Sequence, residues 1–178
     1  MRPFSFMSLP GFSLFDTPLG RCGVAWTDRG VGSVLLPDAD AALRSRLSRR
    51  FPDAHETAPP PDVKQAIEAM TDLLSGKPVD LSFVPLDMTG VPEFNQRVYA
   101  AARLIRPGVT VTYGDIARQL GVPGSARAVG QALGRNPFPI IVPCHRVLAA
   151  DGKTGGFSAP GGASTKLRML AIEGQRLL

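Results

Sequence analysis

Residues 112–137 read TYGDIARQLGVPGSARAVGQALGRNP, and the spacing of capping, apolar and small residues in this stretch decides the architecture around it. Thr112 and Asp115 stand three apart just ahead of Ile116, Ala117 and Leu120, the pattern of a capping box that starts a short helix. Gly121 to Gly124 make a tight turn, and a second helix carries Val129, Ala132 and Leu133 on its buried side before stopping at Pro137. Two short helices with a glycine-containing turn between them read as a helix-turn-helix. The second helix is odd for a reader of base edges. Ala126, Ala128, Gly130 and Ala132 are small, and only Arg127 and Gln131 are long and polar. Major-groove specificity needs several side chains that reach the bases, whereas small residues let a helix approach a groove closely whatever its sequence.

Directly after this unit runs NPFPIIVPCHRVLAADGKTGGF, residues 136–157. Ile140, Ile141 and Val142 read as a buried extended segment, and Pro143 favours an extended conformation in the residue before it. Cys144 then stands beside His145. A free thiol has a pKa of about 8.5 and is mostly protonated at neutral pH, so a nearby imidazole is the usual way to activate it. Neighbours on an extended strand point to opposite faces, so the pair needs either a turn or a bridging water to cooperate.

On the N-terminal side, Phe94, Val98, Ala101 and Ile105 form one helical stripe, ended by Arg106, Pro107 and Gly108. Further back, residues 12–36 alternate apolar runs with turn signals at TPLG and TDRG, which predicts a hairpin or meander. A helix through Leu43 and Leu47 follows. After the break APPPD, the positions Val63, Ala66, Ile67, Met70, Leu73 and Leu74 recur at helical spacing until Gly76 and Pro78. A strand over Leu81 to Leu86 completes a small α/β lobe, with a boundary near residues 87–92.

Charge separates the two halves. Residues 1–90 hold nine Lys/Arg against eleven Asp/Glu, a net −2, while residues 91–178 hold eleven against four, a net +7. A basic half is an electrostatic footprint for a polyanion, nucleic acid above all. No stretch approaches the ~18 uninterrupted apolar residues of a membrane span, and the opening MRPFSFMSLPGFSLF is broken by Pro3 and Pro10. A cytoplasmic location is expected. The only cysteines, Cys22 and Cys144, are far apart and make a poor disulfide framework, so at least one thiol is expected to be free.

With TYGDIA and ARAVG ahead of it, NPFPIIVPCHRV at its centre and GGF and AIEG behind, the chain from about residue 89 to 175 resembles the O6-alkylguanine-DNA alkyltransferases, also called methylated-DNA-protein-cysteine methyltransferases. Ahead of residue 89 the likeness is looser, carried by TPLG and the strand pattern after it. The resemblance implies an α+β fold: a small ribonuclease H-like α/β lobe at 1–90, then a mainly helical DNA-binding and alkyl-transfer lobe at 91–178. It also implies irreversible transfer of an alkyl group from O6-alkylguanine in double-stranded DNA to a cysteine, once per molecule, by a monomer without cofactor.

In that pattern Cys144 is the acceptor, His145 draws off its proton through a water, and Glu173 of AIEG holds and polarises the imidazole. Asn136 ties the recognition helix to the active-site segment. Tyr113 hydrogen-bonds a ring nitrogen of the base and helps guanine leave. The carbonyls of Cys144 and Val147 accept from the exocyclic amine, and the backbone N–H of Ser158 faces O6. Arg127 fills the gap left by the flipped nucleotide, with Ala126 and Gln131 beside it on the DNA side of the helix.

The chain departs from the family in places. Some members bind zinc in the first lobe, but Cys22 has no accompanying cysteine and His55 is alone, so no structural metal is expected. Tyr99 stands where tryptophan is frequent and Phe157 where tyrosine is, and SAPGG lengthens the loop flanking the pocket. Two rival classes fit less of the chain. A non-catalytic lesion-flagging relative lacks the acceptor cysteine, and a Cys-His-Glu hydrolase leaves the helix pair and the basic half without a purpose.

Overall fold

The computed structural model describes residues 9–153 and 161–175. Its first half is built on a sheet of order β3-β2-β1-β4. Strands β1 (Gly11–Thr17), β2 (Gly20–Thr27) and β3 (Gly30–Leu35) form the expected antiparallel meander, turning at TPLG and TDRG. The two-residue β4 (His55–Glu56) joins β1 in parallel. Successive strand residues point to opposite faces, and the packing follows. Val24, Trp26 and Val34 look one way, while Ala25 and Leu35 look the other.

Helix α1 (Asp40–Arg50) covers the second of these faces with Leu43 and Leu47, packed among Phe12, Ala25 and Leu35. Helix α2 (Pro61–Leu74) has proline in its first turn, where a missing N–H costs nothing. It lays Val63, Ala66, Met70 and Leu73 on the first face. That face is continuous with the C-terminal half, since one apolar cluster runs from Phe15 through Tyr99 and Ile116 to Met169. The backbone joins the halves too: Val34 N–H donates to the Pro137 carbonyl at 2.9 Å.

The strand expected at Leu81–Leu86 does not form. Val84 N–H turns back to the Leu81 carbonyl, and the contact with β3 is a single bridge between Val31 and Leu86. Pro85 has no N–H to extend a ladder, and Arg103 Nη2 takes the carbonyls of Leu81 and Val84 at 2.9 and 2.8 Å. Gly30 makes even this contact possible, for a Cβ there would lie 2.5 Å from the Pro85 carbonyl oxygen.

In the second half, α3 (Glu93–Ala102) ends a turn earlier than its apolar stripe, so Ile105 is buried just beyond the helix. Strand β5 (Val111–Thr112) leads into α4 (Tyr113–Gln119), whose capping box is as read: Thr112 Oγ1 accepts from Asp115 N–H at 3.0 Å, and Asp115 Oδ2 accepts from Thr112 N–H at 2.8 Å. The turn over 120–125 leads to α5 (Ala126–Gly134), which buries Val129, Ala132 and Leu133. A 3-10 turn at Cys144–Arg146 precedes β6 (Val147–Leu148), which pairs in parallel with β5. Helix α6 (Gly162–Ile172) closes the half. Among the described residues, no helix is long and apolar enough to cross a membrane.

Because the two capping bonds satisfy helix-end donors reciprocally, Thr112→Ala is expected to lower stability by about 1 kcal/mol. Asp115→Ala should act in the same direction, and the double variant should lose less than the sum of the two. Urea unfolding followed by circular dichroism measures all three, and strict additivity would contradict the reciprocal cap.

Candidate active site

Asn136 builds the approach to the thiol. Its Oδ1 accepts from Phe138 N–H and its Nδ2 donates to the Val142 carbonyl, both at 2.9 Å, so one side chain closes the loop between them. Residues 140–142 are buried as expected but not extended. Val142 N–H reaches back to the Phe138 carbonyl at 2.8 Å, and Ile140 adopts a φ of 75°. A left-handed β-branched residue costs on the order of 1–3 kcal/mol; the Asn136 bonds and burial of three apolar side chains offset it. Tyr99 holds the same loop from α3: its hydroxyl donates to the Ala132 carbonyl at 2.7 Å, and its ring meets Phe138 edge-on at 6.5 Å.

The loop delivers Cys144 into the 3-10 turn, so the thiol and the imidazole of His145 need not project to opposite sides as on a strand. Both are buried. His145 Nε2 lies 2.8 Å from Glu173 Oε1. Burial alone would raise the carboxyl, but hydrogen bonds from His145 and Arg146 outweigh it and hold the pKa at about 2. An ionised carboxylate only accepts, so Nε2 carries the proton and Nδ1 keeps its lone pair. That Nδ1 is buried and has no hydrogen-bond partner among the described residues. It is the nitrogen left to serve a proton from the thiol. Burial pushes the Cys144 thiol up, opposed by a hydrogen bond from Asn136 and the charge of Lys166. Burial likewise pushes His145 down, opposed by Glu173.

Two members of the site escaped sequence analysis. Arg146 donates through Nε to Glu173 Oε2 at 2.9 Å and through Nη2 to Oε1 at 2.7 Å, while its Nη1 reaches the Ile105 carbonyl at 2.6 Å. Lys166 is 1% exposed and donates from Nζ to the Val147 carbonyl at 2.7 Å. Burial brings its pKa down to about 8. A signal for Lys166 existed: with Leu170 and Glu173 it stands at i, i+4 and i+7, one face of a helix. Arg146 carries no such mark, being one more basic residue of a basic half.

Tyr113, the first residue of α4, is half-buried near this cluster, with Lys166 Nζ 5.9 Å from its ring centroid. Its ring also passes Gly130 of α5, where a Cβ would sit 3.9 Å away. Burial raises the phenol pKa, keeping it a hydrogen-bond donor. Arg127 and Gln131 are exposed on α5 and Ala126 is half-exposed at its start. The Val147 carbonyl, expected to face a base, already accepts from Lys166 and retains one lone pair. Ser158, Phe157 and the SAPGG insertion lie outside the described residues. In the first half, Cys22 is fully buried and burial raises its thiol to about 11, while His55 is exposed on β4.

A buried cysteine followed in a tight turn by an imidazole that a carboxylate orients is an arrangement able to serve nucleophilic chemistry. Comparison with known proteins gives the family. The family model for the 6-O-methylguanine DNA methyltransferase DNA binding domain matches residues 93–175. A methylated-DNA–protein-cysteine methyltransferase of Methanothermobacter thermautotrophicus is 35% identical over 90% of this chain and 83% of its own length. One from Mycobacterium tuberculosis is 39% identical over 93% of both. The crystal structure of Mycobacterium tuberculosis OGT in complex with DNA superposes with a TM-score of 0.73 at 34% identity, covering 92% of each chain. The chain belongs to the methylated-DNA–protein-cysteine methyltransferase family.

The depressed pKa of Glu173 makes a stability prediction. Its ordinary value is 4.5 and its folded value about 2, so its contribution is complete above pH 4.5 and disappears as pH falls towards 2. Glu173→Gln also strands a buried guanidinium, and should cost about 3 kcal/mol at pH 7. The gap from the native chain should close on acidification through that window. Urea titrations from pH 7 to pH 3 measure it, and a constant gap would show that the carboxylate is not held ionised.

Proposed function

We propose that this protein repairs DNA by direct reversal, moving an alkyl group from O6 of guanine to Cys144 Sγ and being consumed in the process. The observation that carries this is the His145–Glu173 pair set beside a buried thiol within the matched DNA-binding domain. In the transfer, the thiol proton passes to His145 Nδ1 through a water, and the sulfur attacks the alkyl carbon. The S–C bond forms as the C–O6 bond breaks, and the bonding pair stays with guanine. Tyr113 donates a hydrogen bond to a ring nitrogen as that charge develops and keeps its proton, and the proton held by His145 passes through solvent to the guanine anion, so the one lost by sulfur ends on the released guanine. The thioether product has no easy leaving route, which makes one turnover the natural limit and leaves no role for a cofactor.

Access to O6 requires the nucleotide to leave the stack, at a cost of a few kcal/mol. We assign α4, the turn and α5 as a helix-turn-helix that holds the duplex, and Arg127 as the side chain that fills the gap. The small residues Ala126, Ala128 and Gly130 let α5 come close without demanding a sequence, and Gln131 adds a polar contact on the same exposed side. The first half is a ribonuclease H-like lobe that ends near residue 90. The shared core supports a first half that braces the second. The chain is taken to act as a monomer in the cytoplasm.

Incubation with a duplex carrying one O6-methylguanine, followed by peptide mass spectrometry, should place one methyl per molecule on the Cys144 peptide. Cys144→Ser should abolish transfer and still bind the lesion; methyl elsewhere, or catalytic turnover of an ester by the native chain, would refute the proposal. Arg127→Ala should slow repair of duplex DNA by roughly tenfold or more, given the extrusion cost, and leave reaction with free O6-methylguanine base unchanged. Equal losses on both substrates would remove Arg127 from the extrusion step.

A further inference from the structure

The C-terminal end of α6 is held in place twice by one turn. Glu173 is the C-cap of the helix, and Gly174 follows in the left-handed conformation at φ 89°. Gly174 N–H donates to the Ala171 carbonyl at 3.0 Å and Gln175 N–H to the Leu170 carbonyl at 2.9 Å. These two bonds are a Schellman ending with glycine where a Cβ is least tolerated. They fix where Glu173 leaves the helix and where the next side chain starts. Gln175 Nε2 then donates to the Gly108 carbonyl.

Gly108 is itself left-handed at φ 82°, and a Cβ there would lie 3.2 Å from the Glu173 backbone carbonyl oxygen, tighter than an ordinary contact. Three residues earlier, the Ile105 carbonyl accepts from Arg146 Nη1 in a buried bond of 2.6 Å. The other donors of that guanidinium grip the Glu173 carboxylate. The turn after α3 therefore sets the backbone of Glu173 through Gly108 and Gln175, and its carboxylate through Ile105 and Arg146. We infer that Gly108 and Gln175 are positioning residues for transfer: the turn at 105–108 gauges where the Glu173 carboxylate meets His145. This rests on Glu173 acting through His145 in the proposed reaction. Nothing in the turn touches the base or the thiol. Its leverage is geometric, since misplacement of a catalytic group by ~1 Å can cost ~10²-fold in rate.

The test uses the full chain with Gly108→Ala, Gly108→Asn and Gln175→Leu. Asparagine tolerates the left-handed conformation but keeps the Cβ, so it separates crowding of Glu173 from backbone strain. Single-turnover transfer from an O6-methylguanine duplex is measured across pH, with lesion binding measured separately. The low-field proton resonance of the His145 Nε2–H bond to Glu173 is followed by NMR. Both glycine variants should lose about tenfold or more in rate, Gln175→Leu several-fold, with shifted pH profiles, a moved or broadened resonance and unchanged lesion affinity. Native rates and an unmoved resonance in Gln175→Leu and Gly108→Asn, while Glu173→Gln is slow, would overturn the inference. Native-like transfer by Glu173→Gln would instead overturn the role of Glu173, and the inference with it. Should Gly108→Ala fail to fold, Gln175→Leu decides the matter alone, because it adds no atom near the Glu173 backbone.

Discussion

A carboxylate out of water, gripped by a guanidinium on one side and an imidazole on the other, is the constraint around which the C-terminal half is arranged. An unpaired buried charge costs several kcal/mol, so Glu173 is tolerable at 3% side-chain exposure only because Arg146 supplies two hydrogen bonds and His145 a third. The same pairing has a chemical consequence. With Glu173 ionised, His145 must present a proton to it through Nε2, which leaves the lone pair on Nδ1. The tautomer needed to deprotonate a thiol is thus chosen by an interaction on the far side of the ring. Arg146 works in two directions, for it keeps the carboxylate charged and also draws the His145 pKa down.

Cys144 depends on a second constraint, the loop closed by Asn136. Two hydrogen bonds from one amide bend an apolar run that would otherwise extend, and the left-handed Ile140 is the result. The bend matters because it delivers Cys144 into a tight turn with His145 and Arg146 following. That three-residue turn hands successive side chains to different tasks: the thiol, the imidazole, and the guanidinium that reaches both Glu173 and Ile105. Backbone strain beside a reactive group is a recurrent arrangement. Here it is balanced by burial in a core that the N-terminal sheet completes, with Val34 N–H bonding the Pro137 carbonyl at the entrance to the loop.

Local patterns were legible where a residue's role is set by its immediate neighbours. The capping box at Thr112 and Asp115, the glycine turns of the meander and the buried positions of α1, α2 and α5 all follow from short-range stereochemistry and periodicity. The misjudged segments are those whose conformation is imposed from a distance. Residues 81–86 have strand composition, yet Pro85 and the side chain of Arg103, the residue just past α3, leave only one bridge. Residues 140–142 are β-branched and still turn, because Asn136 and the surrounding core outweigh their preference. Strand β4 is two polar residues recruited by the edge of β1, and nothing in its own composition announces it.

Among the proposed site residues, Cys144, His145, Glu173, Tyr113 and Asn136 stand in an ordered series of motifs, and the sequence by itself determined that series and the family resemblance it carries. It also determined that the second half is basic and that α5 is small-sided, since charge and side-chain size are properties of residues rather than of folds. Only the tertiary structure decided that Arg146 shares the carboxylate with His145, that Lys166 is buried against the Val147 carbonyl, and that a turn near Gly108 sets the end of the last helix. The reason is physical: a charged side chain looks the same in sequence whether it is solvated or buried. What makes it part of a site is the cost of removing it from water, which only its packed partners offset.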